Sequence, residues 1–245
     1  MPKCRFKPIK EGVLMKIEFF HDTVCSFCFP MSYKMREVVK RMPDINIVHR
    51  SFALVWEKED LVRMFGRLDV AKREILTHWE HANLTDPLKR FNPEGMRQQT
   101  FDFPHSKPAL LACKAAFMVG GDKAYWDVFD ALQRLLFMKS QDISSQNVIE
   151  KAVASTGIDM KTWTEYLMHP DVLMAVKEDL QLAKKYAITS VPTLIINETY
   201  RINGALPLET ILTQLEKIAK EETQQLNDKH LGAACHLTDD EWICD

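Results

Sequence analysis

The chain has 245 residues, 46% of them hydrophobic and 27% charged, with 32 basic against 34 acidic side chains and a formal net charge of −2. Such a composition belongs to a globular protein able to bury its own core, and near-neutrality without a long basic run gives no footprint for nucleic acid or an anionic membrane surface. The N-terminus, Met-Pro-Lys-Cys-Arg-Phe-Lys-Pro, has no apolar run of signal-peptide length, and no stretch of about 18 apolar residues follows, so a cytoplasmic protein without a membrane span is expected.

Residues 14–20, Leu-Met-Lys-Ile-Glu-Phe-Phe, read as a strand with Met15, Ile17 and Phe19 on one face. A helical stretch over 27–41 follows and takes Pro30 in its first turn, where the missing N–H has no partner in any case. After Pro43-Asp44 a second strand covers 45–52. The middle of the chain carries helical spacing at 59–65, 69–82, 107–118, 122–138, 145–155, 160–168 and 171–186, punctuated by Gly120-Gly121, Gly157 and Pro170. Strand signals return at 191–196 and 200–202, with turn residues between and after them, and a helix over 207–221 closes the pattern. A β–α–β half and a β–β–α half therefore flank a block of helices. The expected boundaries are 14–56 with 187–222 for the sheet-bearing domain, 57–186 for the helical insertion and 223–245 for a polar, cysteine-bearing tail.

Six cysteines fall at Cys4, Cys25, Cys28, Cys113, Cys235 and Cys244, and Cys25-Ser26-Phe27-Cys28 is the one C-x-x-C spacing. It stands at a strand-to-helix junction. Unpaired N–H groups and the helix dipole there favour a thiolate, which is the nucleophilic form. Position thus makes Cys25 the attacking thiol and Cys28, one turn further in, the resolving one. A zinc site would need two more ligands, and Cys235, His236 and Cys244 lie far from the usual knuckle spacings. His78 and His81 share a helix face with no third ligand in view, so a solvated surface is the reading there and no metal is expected. His21, close to Cys25, either tunes the thiolate or ends a strand. Cys113 lies in an apolar helix as a small hydrophobe, and Cys4 has no assigned role.

The strand running into Cys25-Ser26-Phe27-Cys28, the Val191-Pro192-Thr193 ahead of a hairpin, and Ile202-Asn203-Gly204-Ala205 before a terminal helix resemble the DsbA-like branch of the thioredoxin superfamily. Within that branch the chain is most similar to the FrnE-type dithiol–disulfide isomerase group, over about residues 14–221. The resemblance implies an α/β, thioredoxin-like fold with a large all-helical insertion between its halves. It also implies a cis peptide before Pro192, with Val191 and Pro192 receiving an extended substrate and Phe27 beside them; Phe27, Phe29 and Phe52 would supply an apolar surface or serve as core. Relatives often carry extra C-terminal cysteines, which makes Cys235 and Cys244 candidates for a second redox pair; two unpaired surface thiols is the other reading. Ser26-Phe27 matches neither the Pro-His of the periplasmic oxidase nor the Gly-Pro of thioredoxin, and these residues tune the direction of electron flow.

The expected activity is thiol–disulfide exchange, as a reductase or isomerase of protein or low-molecular-weight disulfides, with no cofactor, since no Gly-rich phosphate loop is present. Two alternatives stand beside it. One is a glutathione-dependent isomerase or kappa-type glutathione transferase, which usually has serine in place of the cysteine pair. The other is a non-catalytic adaptor or redox sensor.

Overall fold

Met15–His21 forms β1, and its Ile17, Phe19 and Phe20 have no exposed surface. A strand buried on both faces must be central in its sheet. The structure, a computed structural model, describes residues 15–231, 235–238 and 241–244. After β1 come α1 (Cys28–Arg41), β2 (Ile45–Ser51), α2 (Lys58–Phe65), α3 (Leu68–Thr85), α4 (Pro93–Arg97), α5 (Lys107–Phe137), α6 (Gln146–Ala154), α7 (Met160–Leu167) and α8 (Pro170–Lys185). The chain then returns through β3 (Thr193–Ile196), β4 (Tyr200–Asn203), α9 (Leu208–Leu231), β5 (Cys235–Thr238) and β6 (Glu241–Cys244).

One sheet has the order β2-β1-β3-β4. β1 runs parallel to β2, with Met15 opposite Ile45 and His21 opposite Ser51, and antiparallel to β3, with Phe20 opposite Thr193. The parallel pair needs a crossover, which α1 supplies. This is the α/β, thioredoxin-like architecture with a helical insertion that the sequence implies. Sequence spacing also locates the kink in α5: Gly120 and Gly121 leave helical geometry, and Gly121 takes φ +64°, which a Cβ disfavours.

Several details differ from expectation. The strand expected over 191–196 starts only at Thr193, because the Val191–Pro192 peptide is cis and turns the chain beforehand. The helix expected over 207–221 runs on to Leu231, sustained by a Glu-, Gln- and Lys-rich stretch of good helix formers. The short α4 has no apolar periodicity to announce it; Pro93 opens it and Asn92 caps it by accepting a hydrogen bond from the Gly95 N–H.

The chain falls into two units, Met1–Ala205 and Leu206–Asp245. In the second, Ile211, Leu212, Leu215 and Ile218 of α9 are buried at helical spacing, and β5 pairs antiparallel with β6, setting Cys235 opposite Cys244. No helix among the described residues is long and apolar enough to cross a membrane.

In the first unit a chain of buried charges fastens the insertion to the sheet. Tyr186 donates to Glu18 (3.0 Å), Arg50 donates to Glu18 through Nε (2.8 Å) and to Asp179 through Nη1 (3.2 Å), and Lys114 lies 2.5 Å from Asp179. Asp179 on α8 also accepts the Ser51 N–H at 2.8 Å. β1, β2, α5 and α8 are thereby joined through one set of complementary groups. Removing a partner from such a set strands a buried charge, which costs more than the pair contributed. The Asp179→Ala variant is expected to lose about 3–5 kcal/mol of stability, read as a fall in urea midpoint, because Lys114 stays buried without its carboxylate. A loss below about 1 kcal/mol would show that Lys114 escapes to solvent.

Candidate active site

β1 ends at His21, and the chain turns through Asp22–Phe27 before α1 begins at Cys28. The sequence places the helix start one residue earlier, at 27. The difference arises because Cys28 and Phe29 donate to the carbonyls of Cys25 and Ser26 (3.1 and 3.3 Å), so a tighter i→i+3 turn leads into the helix. Cys25 lies in that turn with 4% of its surface exposed, and Cys28 follows with none. Both are unbridged thiols, and the Cys28 side chain is hydrogen-bonded to that of Cys25. Burial first, and then its bond to Cys25 and the charge there, pushes the Cys28 thiol well above the usual range.

Across from the turn, the cis peptide before Pro192 brings the Val191 carbonyl to 3.5 Å from the Cys25 sulfur, which donates to it. Residues 166 apart in sequence thus meet. The Pro192 carbonyl accepts the Gly204 N–H at 2.8 Å, so the strand-turn segment noted from sequence is stapled to the end of β4. Phe27 is half-buried at the lip of the turn.

Phe29 belongs to the core. Its ring stacks on Phe137 (5.2 Å) and meets Phe91 edge-on (5.4 Å), and Phe137 in turn meets Trp79 at 4.9 Å. The insertion therefore grips the first turn of α1, and such aromatic pairs add about 0.5–1.5 kcal/mol each beyond their burial. Phe52 is half-buried, packed against the cluster of Phe20, Ala183, Ile188 and Ile195.

Asp22, Ser106 and Gln133 were not singled out from the sequence. Asp22 is fully buried, and its carboxylate accepts from Leu54 N (2.6 Å), Ser106 Oγ (2.6 Å), Val24 N (3.2 Å) and Thr23 Oγ1 (3.3 Å). Burial raises its pKa to about 6 against the pull of those hydrogen bonds. Gln133 donates to the carbonyls of Asp22 and Cys25 at 3.4 and 3.5 Å, bracing the turn from α5. One signal could have pointed to Asp22: an acidic residue directly after a strand buried on both faces and three before a cysteine.

His21 ends β1, and no hydrogen bond joins it to Cys25 among the described residues. Its Nε2 lies 3.0 Å from His49 Nδ1, and its ring packs 4.0 Å from that of Phe129. Burial, followed by the charge of Lys114, holds His21 well below the usual imidazole range, and burial followed by His21, Arg36 and Lys114 does the same to His49. Cys113 is a buried thiol pushed well up by burial, as expected of a small hydrophobe in an apolar helix. His78 and His81 are exposed on α3. Among the described residues no group of three or more His, Cys, Asp or Glu is arranged to hold a metal. Cys4, and the side chains of Cys235 and Cys244, lie outside the described residues.

A buried turn with paired thiols against a cis-proline segment defines a thioredoxin-like site. The sequence matches the DSBA-like thioredoxin domain over residues 16–216, and the chain belongs to that family. It is similar to the ClpXP adapter protein SpxH of Shouchella clausii, 27% identical over 118 residues that span 46% of this chain and 39% of that protein. The chain thus matches well under half the length of the curated relatives. Among solved structures it is similar to the cytosolic disulfide reductase DsbM of Pseudomonas aeruginosa, with 15% identity, TM-score 0.61, and coverage of 86% of this chain and 98% of that one. A Streptomyces coelicolor structure described as a probable DsbA oxidoreductase is 17% identical at TM-score 0.67, covering 85% and 91%. At these identities the structures share the fold.

The imidazole pair makes stability depend on pH. The unfolded chain protonates both rings below about pH 6.5 while the fold resists, so stability is full above that pH and falls below it. Asp22 acts oppositely, since between its folded pKa of about 6 and its unfolded value the native state holds the extra proton. The net slope below pH 6.5 is expected to be about one to two protons, or ~1.4–2.7 kcal/mol per pH unit. Urea titrations between pH 7.5 and 5 check this; a flat profile contradicts buried neutral rings.

Proposed function

We propose that this protein is a thiol–disulfide oxidoreductase, a disulfide reductase or isomerase, working by exchange through Cys25 and Cys28. The observation that carries the reading is the contact of the nearly buried Cys25 sulfur with the carbonyl preceding Pro192, with Cys28 bonded behind it. Attack by the Cys25 thiolate on a substrate disulfide forms a mixed disulfide, and Cys28 then displaces the substrate from Cys25. Val191 and Pro192 are proposed to receive an extended substrate segment, with Phe27 flanking it. The substrates proposed are protein or low-molecular-weight disulfides in the cytoplasm. The DsbM structures, one titled as cytosolic and one as containing GSH, support that class by analogy of fold. The proposed working domain is 14–56 with 187–222, 57–186 being its insertion.

Two further points are proposed. Cys235 and Cys244 of the tail 223–245 form a second redox pair, supported by their facing positions in the β5–β6 register. Residues directly opposite in an antiparallel pair have Cα atoms about 4.5–5.5 Å apart, within the span of a disulfide. A second reading, a non-catalytic adaptor, draws on the similarity to ClpXP adapter proteins.

Alkylation and intact mass across a graded series of reduced and oxidised glutathione test these readings together. Wild type is expected to lose a pair of alkylatable thiols in one reversible step, which Cys25→Ser abolishes. A further step that vanishes in the Cys235→Ser/Cys244→Ser variant is expected for the tail pair. Absence of any reversible step, with client binding intact in Cys25→Ser, would establish the adaptor instead.

A further inference from the structure

Gln133 breaks the pattern of its helix. It stands on α5 among Phe129, Leu132, Leu136 and Phe137, none of which has exposed surface, and it is itself fully buried. Its side-chain oxygen has no hydrogen-bond partner among the described residues, and an orphaned buried acceptor lowers stability. An apolar side chain would fill the place without that cost.

The other end of the amide faces the turn that carries the cysteines. Residues 22–28 make two successive i→i+3 turns: Cys25 N–H donates to the Asp22 main-chain carbonyl (3.2 Å), and Cys28 N–H donates to the Cys25 carbonyl (3.1 Å). Gln133 Nε2 donates to both of these acceptors, at 3.4 and 3.5 Å. The nitrogen must be the atom that faces them, because the amide oxygen in its place would meet two carbonyl oxygens. A carbonyl has two lone pairs, and the turn already uses one on each. Removing the amide therefore orphans neither carbonyl, and the fold does not need it.

What the amide changes is charge. Carbonyl oxygens carry partial negative charge, and their field is strong in a dry turn. One of the two oxygens that Gln133 binds belongs to Cys25 itself, whose sulfur must become an anion to attack. The two N–H groups of the amide offset that field. We propose that Gln133 is a positioning residue for the exchange reaction: by binding the Asp22 and Cys25 carbonyls it favours the Cys25 thiolate and raises the reduction potential of the Cys25–Cys28 couple. This rests on the exchange mechanism proposed above. In the balanced equilibrium, the protein dithiol and glutathione disulfide give the protein disulfide and two glutathione thiols. A favoured thiolate stabilises the dithiol side, so losing Gln133 shifts this equilibrium towards the protein disulfide.

The test compares wild type with Gln133→Leu and Gln133→Met, which both lack donors but differ in shape. In a Cys28→Ser background, alkylation of Cys25 by iodoacetamide is followed by intact mass across a pH series. The pH of half-maximal rate is expected to rise by at least about half a unit in both variants, with the plateau rate changed by less than about twofold. With Cys28 present, the equilibrium constant for disulfide formation against glutathione, measured above both midpoints, is expected to rise about threefold. Urea midpoints are expected to equal or exceed that of wild type, which a bracing role alone would not produce. Unchanged alkylation midpoints, a shift in only one of two folded variants, or a rate lowered by the same factor at every pH overturns the proposal. Failure of both variants to fold also overturns it, since the amide would then be a structural requirement. A wild type that forms no reversible Cys25–Cys28 disulfide at any glutathione ratio overturns the exchange mechanism itself, and this inference with it.

Discussion

A thiol attacks only as its thiolate, and a thiol with no exposed surface is hard to ionise. That constraint shapes the surroundings of Cys28. Burial encloses the Cys28 sulfur against Cys25, yet it also pushes the thiol far from ionisation. The same turn also buries the carboxyl group of Asp22. Asp22 then joins three pieces of chain, since its partners come from the turn itself, from Leu54 after β2, and from Ser106 at the head of α5. Loss of any of these pieces would release the turn.

The helical insertion participates in the site rather than decorating the sheet. It supplies Ser106 and Gln133 to the turn and the rings of Phe91 and Phe137 to the first residues of α1. It also supplies Lys114 and Asp179, which complete the chain of charges begun by Glu18 and Arg50 on the two parallel strands. The candidate site therefore rests on segments distant in sequence: the turn after β1, the cis-proline segment before β3, and α5 between them.

How much of this could be read beforehand depends on how local each signal is. β1 announces itself by its apolar Met15, Ile17, Phe19 and Phe20, the α5 kink by Gly120-Gly121, and the cysteine pair by its spacing at a strand-to-helix junction. The cis peptide came from resemblance, since nothing in Val191-Pro192 alone separates cis from trans. Asp22 was not legible because its importance comes from Leu54 and Ser106, 32 and 84 residues away. Likewise His21 looks like a neighbour of Cys25 until strand pairing sets it beside His49, 28 residues on. Phe29 was ambiguous between surface and core because its partners lie in the insertion. Short-range pattern reports elements; partnerships of buried polar groups need the tertiary fold.

The central claim is that Cys25 is the sulfur that meets substrate and Cys28 the one that releases it. Peptide mapping of the adduct formed with glutathione disulfide in Cys28→Ser and in Cys25→Ser tests this directly. The account predicts a stable adduct on Cys25 in the first variant and no adduct on Cys28 in the second. An adduct on Cys28 in Cys25→Ser at a comparable rate, or none on Cys25 in Cys28→Ser, would contradict it.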